Sequence, residues 1–294
     1  VSTLSVLNVS YYPQQRGPYN LDTDYDATGM LNNPSKRWGG MMRKIDVSDF
    51  EQSNIEYIEF WLMDPFVNDT LNQHLGGDLY INLGDISEDI LKDGKKFFEN
   101  GMPLTNDTNL TQNNVWGRLP TQQSTVLAFS NEPGARAKQD VGLNGLSTEE
   151  EREFPTYRNY IQQLRTTVSP SVIARWEGDQ FSPLNDPAGD NYHHYRGSDY
   201  DAQQLSILDR YKYYNGVEGN SADASTTGET FATSASSLPD VEDINQDNTL
   251  NEYEKYFQYK ISFHRGSDME IGQNFIVDKR EFEAELANGK KDKV

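Results

Sequence analysis

Residues 54–90 read NIEYIEFWLMDPFVNDTLNQHLGGDLYINLGDISEDI, the densest apolar stretch in the chain. Two runs within it have strand character, Ile55–Met63 and Asp78–Gly84, joined by a polar loop that ends in Gly76-Gly77. In the first, Ile58, Phe60 and Leu62 alternate with Tyr57, Glu59 and Trp61. Successive strand side chains point to opposite faces, so one face is apolar and the other aromatic with a single carboxylate. Apolar groups on both faces suit a central strand covered from each side, as in a sheet-on-sheet sandwich. The second run sets Leu79, Ile81 and Leu83 against Tyr80 and Asn82. This pair of strands is the expected core of the fold.

Further strands are expected at Val1–Ser10, Val126–Phe129, Tyr253–His264 and Ile271–Asp278. In Tyr253–His264 the alternation is clean: Phe257, Tyr259, Ile261 and Phe263 against Tyr256, Gln258, Lys260 and Ser262. Helical signals are fewer. Asp85–Ile90 reads as a short helix start with Ser87 as a cap. Ser147 or Thr148 caps another, with Glu149, Glu150 and Glu151 in the first turn, where the helix dipole favours carboxylates. Phe154–Thr167 continues it, with Tyr157, Tyr160, Ile161 and Leu164 near helical spacing. Gln203–Tyr214 would bury Ile207, Leu208 and Tyr211. Gly219–Ser237, small and polar, reads as a flexible loop, and Lys279–Val294 as a charged helix or tail. The expected fold is mainly β, a jelly-roll-like β-sandwich over residues 1–294. An insertion of loops and short helices would occupy about 94–252.

The formal net charge is −20, from 46 acidic against 26 basic residues. Such a field repels phosphate backbones and anionic lipid, so nucleic acid is excluded as a partner and cations are favoured. There is no cysteine, which removes disulfides, thiolate metal sites and a cysteine nucleophile. No apolar run approaches the ~20 residues of a helical membrane span. The chain begins at Val1 without a signal peptide and reads as part of something longer. Four Asn-x-Ser/Thr triplets, at Asn8, Asn68, Asn106 and Asn109, carry little weight in so Asn- and Thr-rich a sequence.

The sharpest local signal is Asp243–Glu254, DINQDNTLNEYE. It fits the twelve-residue calcium loop, with Asp243, Asn245, Asp247 and Asn251 at positions 1, 3, 5 and 9. The Thr249 carbonyl stands at position 7 and Glu254 at position 12, where it could give both oxygens. Asn248 replaces the usual glycine at position 6, and asparagine tolerates the left-handed conformation needed there. The segment before the loop is not helical, so a lone structural Ca2+ loop is expected rather than a paired sensor. His193 and His194 are adjacent, point apart in extended chain, and cannot chelate one ion together. Within Asn33–Arg43, Trp38 with Arg37 and Arg43 is either a partner contact or a Trp packed under a loop, its arginines answering nearby carboxylates. The second reading is preferred.

Several stretches resemble the SprA/Sov family, very large outer-membrane proteins that form the type 9 secretion translocon of Bacteroidota and serve gliding motility. They are Tyr11-Tyr12-Pro13 with Arg16–Asn20, Arg37–Arg43, Tyr57–Phe66, Leu79–Asp89, Arg196–Gly216 and Leu238–Asp243. The resemblance implies part of a giant β-barrel translocon. Its partners would be the remaining barrel, accessory proteins and secreted cargo. The location implied is the outer membrane, the extracellular face before the periplasmic. The strand pattern is also similar to a galactose-binding-type jelly roll. No catalytic motif carries over, so a non-enzymatic structural or interaction domain is expected.

Two other readings compete. One is a calcium-stabilised carbohydrate-binding module using Trp38, Trp116 and Trp176. The other is a hydrolase using Asp186, Asp190 or Glu177, which would require convergent carboxylates of raised pKa in a cleft.

Overall fold

A computed structural model describes residues 9–47, 49–64, 66, 69–71, 73–223, 237–266, 269–285, 289 and 291–293. Most of the expected strand at 1–10 and of the loop at 219–237 lies outside them, as do Asn8 and Asn68. The strands are β1 (Gly77–Asp85), β2 (Thr111–Asn113), β3 (Arg118–Pro120), β4 (Lys255–Phe263), β5 (Glu283–Glu285) and β6 (Lys291–Lys293). The helices are α1 (Arg136–Gln139), α2 (Thr148–Glu153), α3 (Pro155–Thr167), α4 (Pro170–Glu177), α5 (Ser198–Gln203) and α6 (Ile207–Arg210). The chain divides into two compact units, Val1–Met42 with Glu88–Glu252, and Arg43–Ser87 with Tyr253–Val294.

The first unit holds the core, and its framework is helical. Pro155 opens α3, where its missing N–H costs nothing. Tyr157, Tyr160 and Leu164 recur at intervals of three and four, so one stripe of the helix turns inward. Tyr160, Leu164 and Val168 pack with Val172 and Trp176 of α4 and with Leu184. Two smaller clusters follow: Leu91, Phe97, Leu119 and Leu143, then Leu146, Tyr157 and Ala188. The helix expected after Ser147 is α2, and its capping box is present, with Ser147 N donating to Glu150 Oε2 at 3.1 Å. Long irregular segments connect these elements.

The second unit is built on β1 and β4, paired antiparallel from Gly77↔Phe263 to Asp85↔Lys255. The alternation expected for both strands holds. Leu79, Ile81 and Leu83 stand opposite Ile261, Tyr259 and Phe257, making an apolar face. The other face is polar: Ser262 Oγ donates to Asp78 Oδ1 at 2.7 Å and Gln258 Nε2 to Asn82 Oδ1 at 3.0 Å.

The β-sandwich expectation is overturned. Among the described residues the sheets are β1–β4, β2–β3 and β5–β6, each of two strands, and none stacks into a sandwich. Ile55–Met63 forms no strand, and Phe60, expected in a dry interior, is 45% exposed, while Leu62 and Ile81 are only half-buried. Alternation assigns side chains to faces; it does not supply a neighbouring strand, and among the described residues none pairs with Ile55–Met63. Val126–Phe129 and Ile271–Asp278 are not strands either, and Asp85–Ile90 is not a helix. Gln203–Tyr214 breaks into α6 and turns, leaving Ile207, Leu208 and Tyr211 exposed.

Candidate functional site

The first unit buries acids without burying bases. Glu88, Glu99, Asp140, Glu151, Asp186, Asp190, Glu242 and Asp243 are all buried, while no lysine or arginine is buried among the described residues. An isolated buried carboxylate is costly unless hydrogen bonds, a proton or a cation offset it. Most of these acids accept backbone N–H groups from distant loops. Glu242 takes those of Ile90, Leu91 and Phe97, and Glu88 those of Asn245 and Asn251. In a unit with little regular structure, carboxylates do part of the work a sheet ladder would do.

At the centre lie Glu151, Asp190 and Glu218, each placing a carboxylate oxygen within 4.8 Å of the others. Glu151 comes from the inner side of α2. Its Oε1 accepts from Asn144 Nδ2 at 2.5 Å and its Oε2 from Ala188 N at 3.1 Å. Glu218 is fixed through its backbone, since its N donates to Asp190 O at 3.0 Å and its carbonyl accepts Tyr192 N at 2.9 Å. Its Oε1 accepts Thr148 N at 2.9 Å, and its Oε2 lies 2.9 Å from Thr148 Oγ1. Asp190, with no exposed surface, accepts the Tyr19 hydroxyl at Oδ2 across 2.6 Å. Its Oδ1 is buried with no hydrogen-bond partner. Gly142 makes the close approach possible: at φ +72° its Cα faces Asp190, and a Cβ would stand 2.3 Å from Oδ2.

Burial, then the neighbouring carboxylates, pushes the pKa of all three acids upward. Asp186, also raised by burial, lies beside them, and Arg16 binds the Asp186 and Pro187 carbonyls. A cleft of about 360 Å³ borders the group, lined by Thr148, Glu149, Arg152, Glu177, Asn185 and Asn191 among others. The three central acids do not line it.

A second acidic group joins Glu99, Asp140 and Asp240. Glu99 accepts Gly142 N and Asp240 N, and its pKa stands well above the ordinary value through burial and the two aspartates. Asp140 is pushed up to about 6 by burial and Asp240, against the lowering effect of Arg136.

The residues of the calcium-like loop divide between the units. Asp243–Asn251 belong to the first and Glu254 to the second. Asp243 Oδ1 accepts Asp247 N, and its Oδ2 accepts Asn248 N and pairs with Lys96 Nζ at 2.8 Å. Asn245 Oδ1 accepts Asp247 N, and Asp247 Oδ1 accepts Thr249 N. Asn248 takes the left-handed conformation, φ 69°, that position 6 of such a loop requires. Asp243 is buried and Glu254 exposed.

Trp38 is 84% exposed, so it does not pack under a loop, although Arg37 does pair with Asp22 at 2.8 Å. Trp176 is core and Trp116 half-buried. Neither the cleft above nor a second, of about 450 Å³ beside Phe181, His193 and Asp199, includes a tryptophan, so the sugar-platform arrangement is not formed there. His193 and His194 do not converge: His193 Nε2 meets Asp199 Oδ2 at 2.9 Å, while the His194 ring stacks on Tyr195. Of the hydrolase candidates, Asp186 and Asp190 are closed off from solvent, and Glu177 pairs with Arg165 at 2.9 Å. Glu151 and Glu218, the partners of Asp190, were not singled out from sequence. Glu151 lies on the same helix face as Thr148, an acid where an apolar side chain would be usual, and that was the available signal.

These features define an acidic, loop-rich, helix-centred unit joined in sequence to a two-stranded sheet with one apolar face. Residues 159–294, a little under half the chain, match the SprA_N family model, described as a motility related/secretion protein. Over that stretch the chain is similar to the SprA_N family. The match takes in Asp190, Glu218, the calcium-like loop and β4, and two of the six stretches that carry the resemblance. No curated protein matches the chain.

Proposed function

We propose that this chain is a non-enzymatic structural and interaction domain of the type 9 secretion translocon, serving protein export and gliding motility at the cell surface. Its partners are the barrel, accessory proteins and secreted cargo. The observation that carries the reading is the apolar surface of the second unit. Tyr57, Ile58, Trp61, Tyr253, Phe257, Phe275 and Phe282 are all exposed, Phe257 at 76%, and β1 and β4 form a sheet of two strands with an outer edge on each. Exposed large apolar side chains in this number point to protein contact, and open edges invite further strands. No helix of the described residues is long and apolar enough to cross a membrane.

These 294 residues hold no cysteine, so one introduced here has no competing thiol within the stretch. Trp38→Cys or Thr70→Cys, in the full-length protein in cells, is treated with a membrane-impermeant maleimide. Labelling of intact cells supports the extracellular face; labelling only after the outer membrane is opened places the domain in the periplasm and overturns that part. Photo-crosslinking from position 257 tests the partner surface. Adducts with barrel or cargo proteins support it, and an uncrosslinked chain during active export overturns it.

Calcium at Asp243–Glu254 is a separate proposal, supported by the spacing and by the left-handed Asn248. The ion would displace Lys96 Nζ from Asp243. Calorimetric titration of Ca2+ into metal-stripped protein, repeated with Glu254→Gln, tests it: a heat lost in the variant supports the site, and one unchanged by it does not.

A further inference from the structure

We infer that Glu151, Asp190 and Glu218 form a buried site for one hard divalent cation, calcium by preference, distinct from the loop at 243–254. A group of acids alone would not carry this. The independent observation is Asp190 Oδ1, an unpartnered oxygen on a residue with no exposed surface, carried by the carboxylate that faces both glutamates. Buried polar atoms are satisfied in folded proteins, and an orphan calls for an unseen partner. The remaining oxygens of the group each have one donor: Asn144 Nδ2 and Ala188 N on Glu151, Thr148 on Glu218, Tyr19 on Asp190. A carboxylate oxygen has room for two, so lone pairs remain for a central ion.

Charge leads to the same place. Four carboxylates gather here, counting Asp186, and among the described residues Arg16, which binds the carbonyls of Asp186 and Pro187, brings a single positive charge against them. A ligand set made only of oxygen selects Ca2+, Mg2+ or Mn2+ over softer ions. Two oxygens bound to one calcium ion at ~2.4 Å each can stand no more than about 4.8 Å apart, and the three carboxylates keep within that limit. Mg2+ usually keeps several of its waters and is seldom held in an all-protein cage, so a buried set of three carboxylates suits Ca2+ better. The surroundings hold the ligands in place as outer partners of a metal do: Tyr19 on Asp190, Asn144 on Glu151, Thr148 on Glu218. Thr148, whose hydroxyl lies 2.9 Å from both Glu218 Oε2 and Asn191 Oδ1, also lines the surface cleft with Asn191, Glu149 and Glu177, so the cleft reaches the residue next to the group.

The test uses the 294-residue chain, stripped with chelator and titrated with CaCl2 and, separately, MgCl2. One equivalent of Ca2+ is expected to persist in Asp243→Asn, which removes the other loop. Asp190→Asn and Glu218→Gln should each weaken that equivalent at least tenfold. A variant that fails to fold would mislead, so a second readout leaves the three acids unaltered. Tb3+ is added and excited through tyrosine, of which Tyr19 lies at the site. Emission that Ca2+ quenches by competition, and that Tyr19→Phe diminishes, supports the inference. Folded, stripped protein that binds no Ca2+ beyond the 243–254 loop, that takes Mg2+ alone, or whose isotherm is unchanged by Asp190→Asn with Glu218→Gln, overturns it. Because Asp243→Asn isolates this site, its failure is separable from failure of the loop.

Discussion

Tyr19 and Asp190, 171 positions apart, are joined by a hydrogen bond of 2.6 Å, and the same hydroxyl accepts Leu143 N at 2.8 Å. One phenol thereby ties three loops together. Tyr19→Phe removes both bonds and leaves a buried amide and a buried carboxylate wanting. The expected loss is about 2–4 kcal/mol, read from chemical denaturation of the purified chain.

Gly142 has its φ at +72° and no room for a side chain beside Asp190. Gly142→Ala meets both the backbone penalty and the clash. A destabilisation of about 2–4 kcal/mol is expected in the same assay, against a few tenths for Gly17→Ala, where a Cβ meets nothing within 4 Å.

Asp140 faces Asp240 and Glu99 with Arg136 as its nearby cation, and its pKa is pushed up to about 6. The folded state therefore holds a proton that the unfolded chain releases near pH 4. This contribution to stability is complete below that value and is lost as pH rises through about 6. Asp140→Asn keeps an acceptor for Ser221 N and removes the like charge. Its Tm is expected to exceed that of the unaltered protein at pH 8 and to vary less between pH 4 and 8, as followed by circular dichroism.

Lys96 and Asp243 form a nearly buried ion pair at 2.8 Å. Lys96→Met strands the carboxylate and should cost about 3–5 kcal/mol in chelator. If calcium takes the place of the ammonium, added Ca2+ restores most of this loss. Thermal melts of the variant with and without CaCl2 read the difference directly.

Phe257 is largely in water, so Phe257→Ser should change folding stability by no more than about 0.5 kcal/mol. Export of cargo and gliding should nonetheless fall, measured by the amount of secreted protein and by colony spreading.

What could be read from the sequence was what a local period encodes. Tyr157, Tyr160 and Leu164 declared α3, Ser147 with Glu150 declared its neighbour α2, and the apolar alternation of β1 and β4 survived into the structure. Ile55–Met63 showed the same alternation and misled, because a strand also needs a neighbour and no neighbour is encoded in its own residues. The true core lay in helices of modest apolar content, so apolar density pointed to the wrong unit. The acids were legible least. Glu151, Asp190 and Glu218 come from three separate segments in a chain of 46 carboxylates, and only tertiary structure selects them.

The pairing of β1 with β4 has a consequence for biosynthesis. Asp78 must wait for Ser262, 184 positions further along, before its strand acquires a mate. At ribosomal speeds of about 5–20 residues per second this is a delay of roughly 10–40 s. Throughout it, Leu79, Ile81 and Leu83 travel as a sticky, half-made ribbon that a chaperone would have to shelter until β4 has been translated.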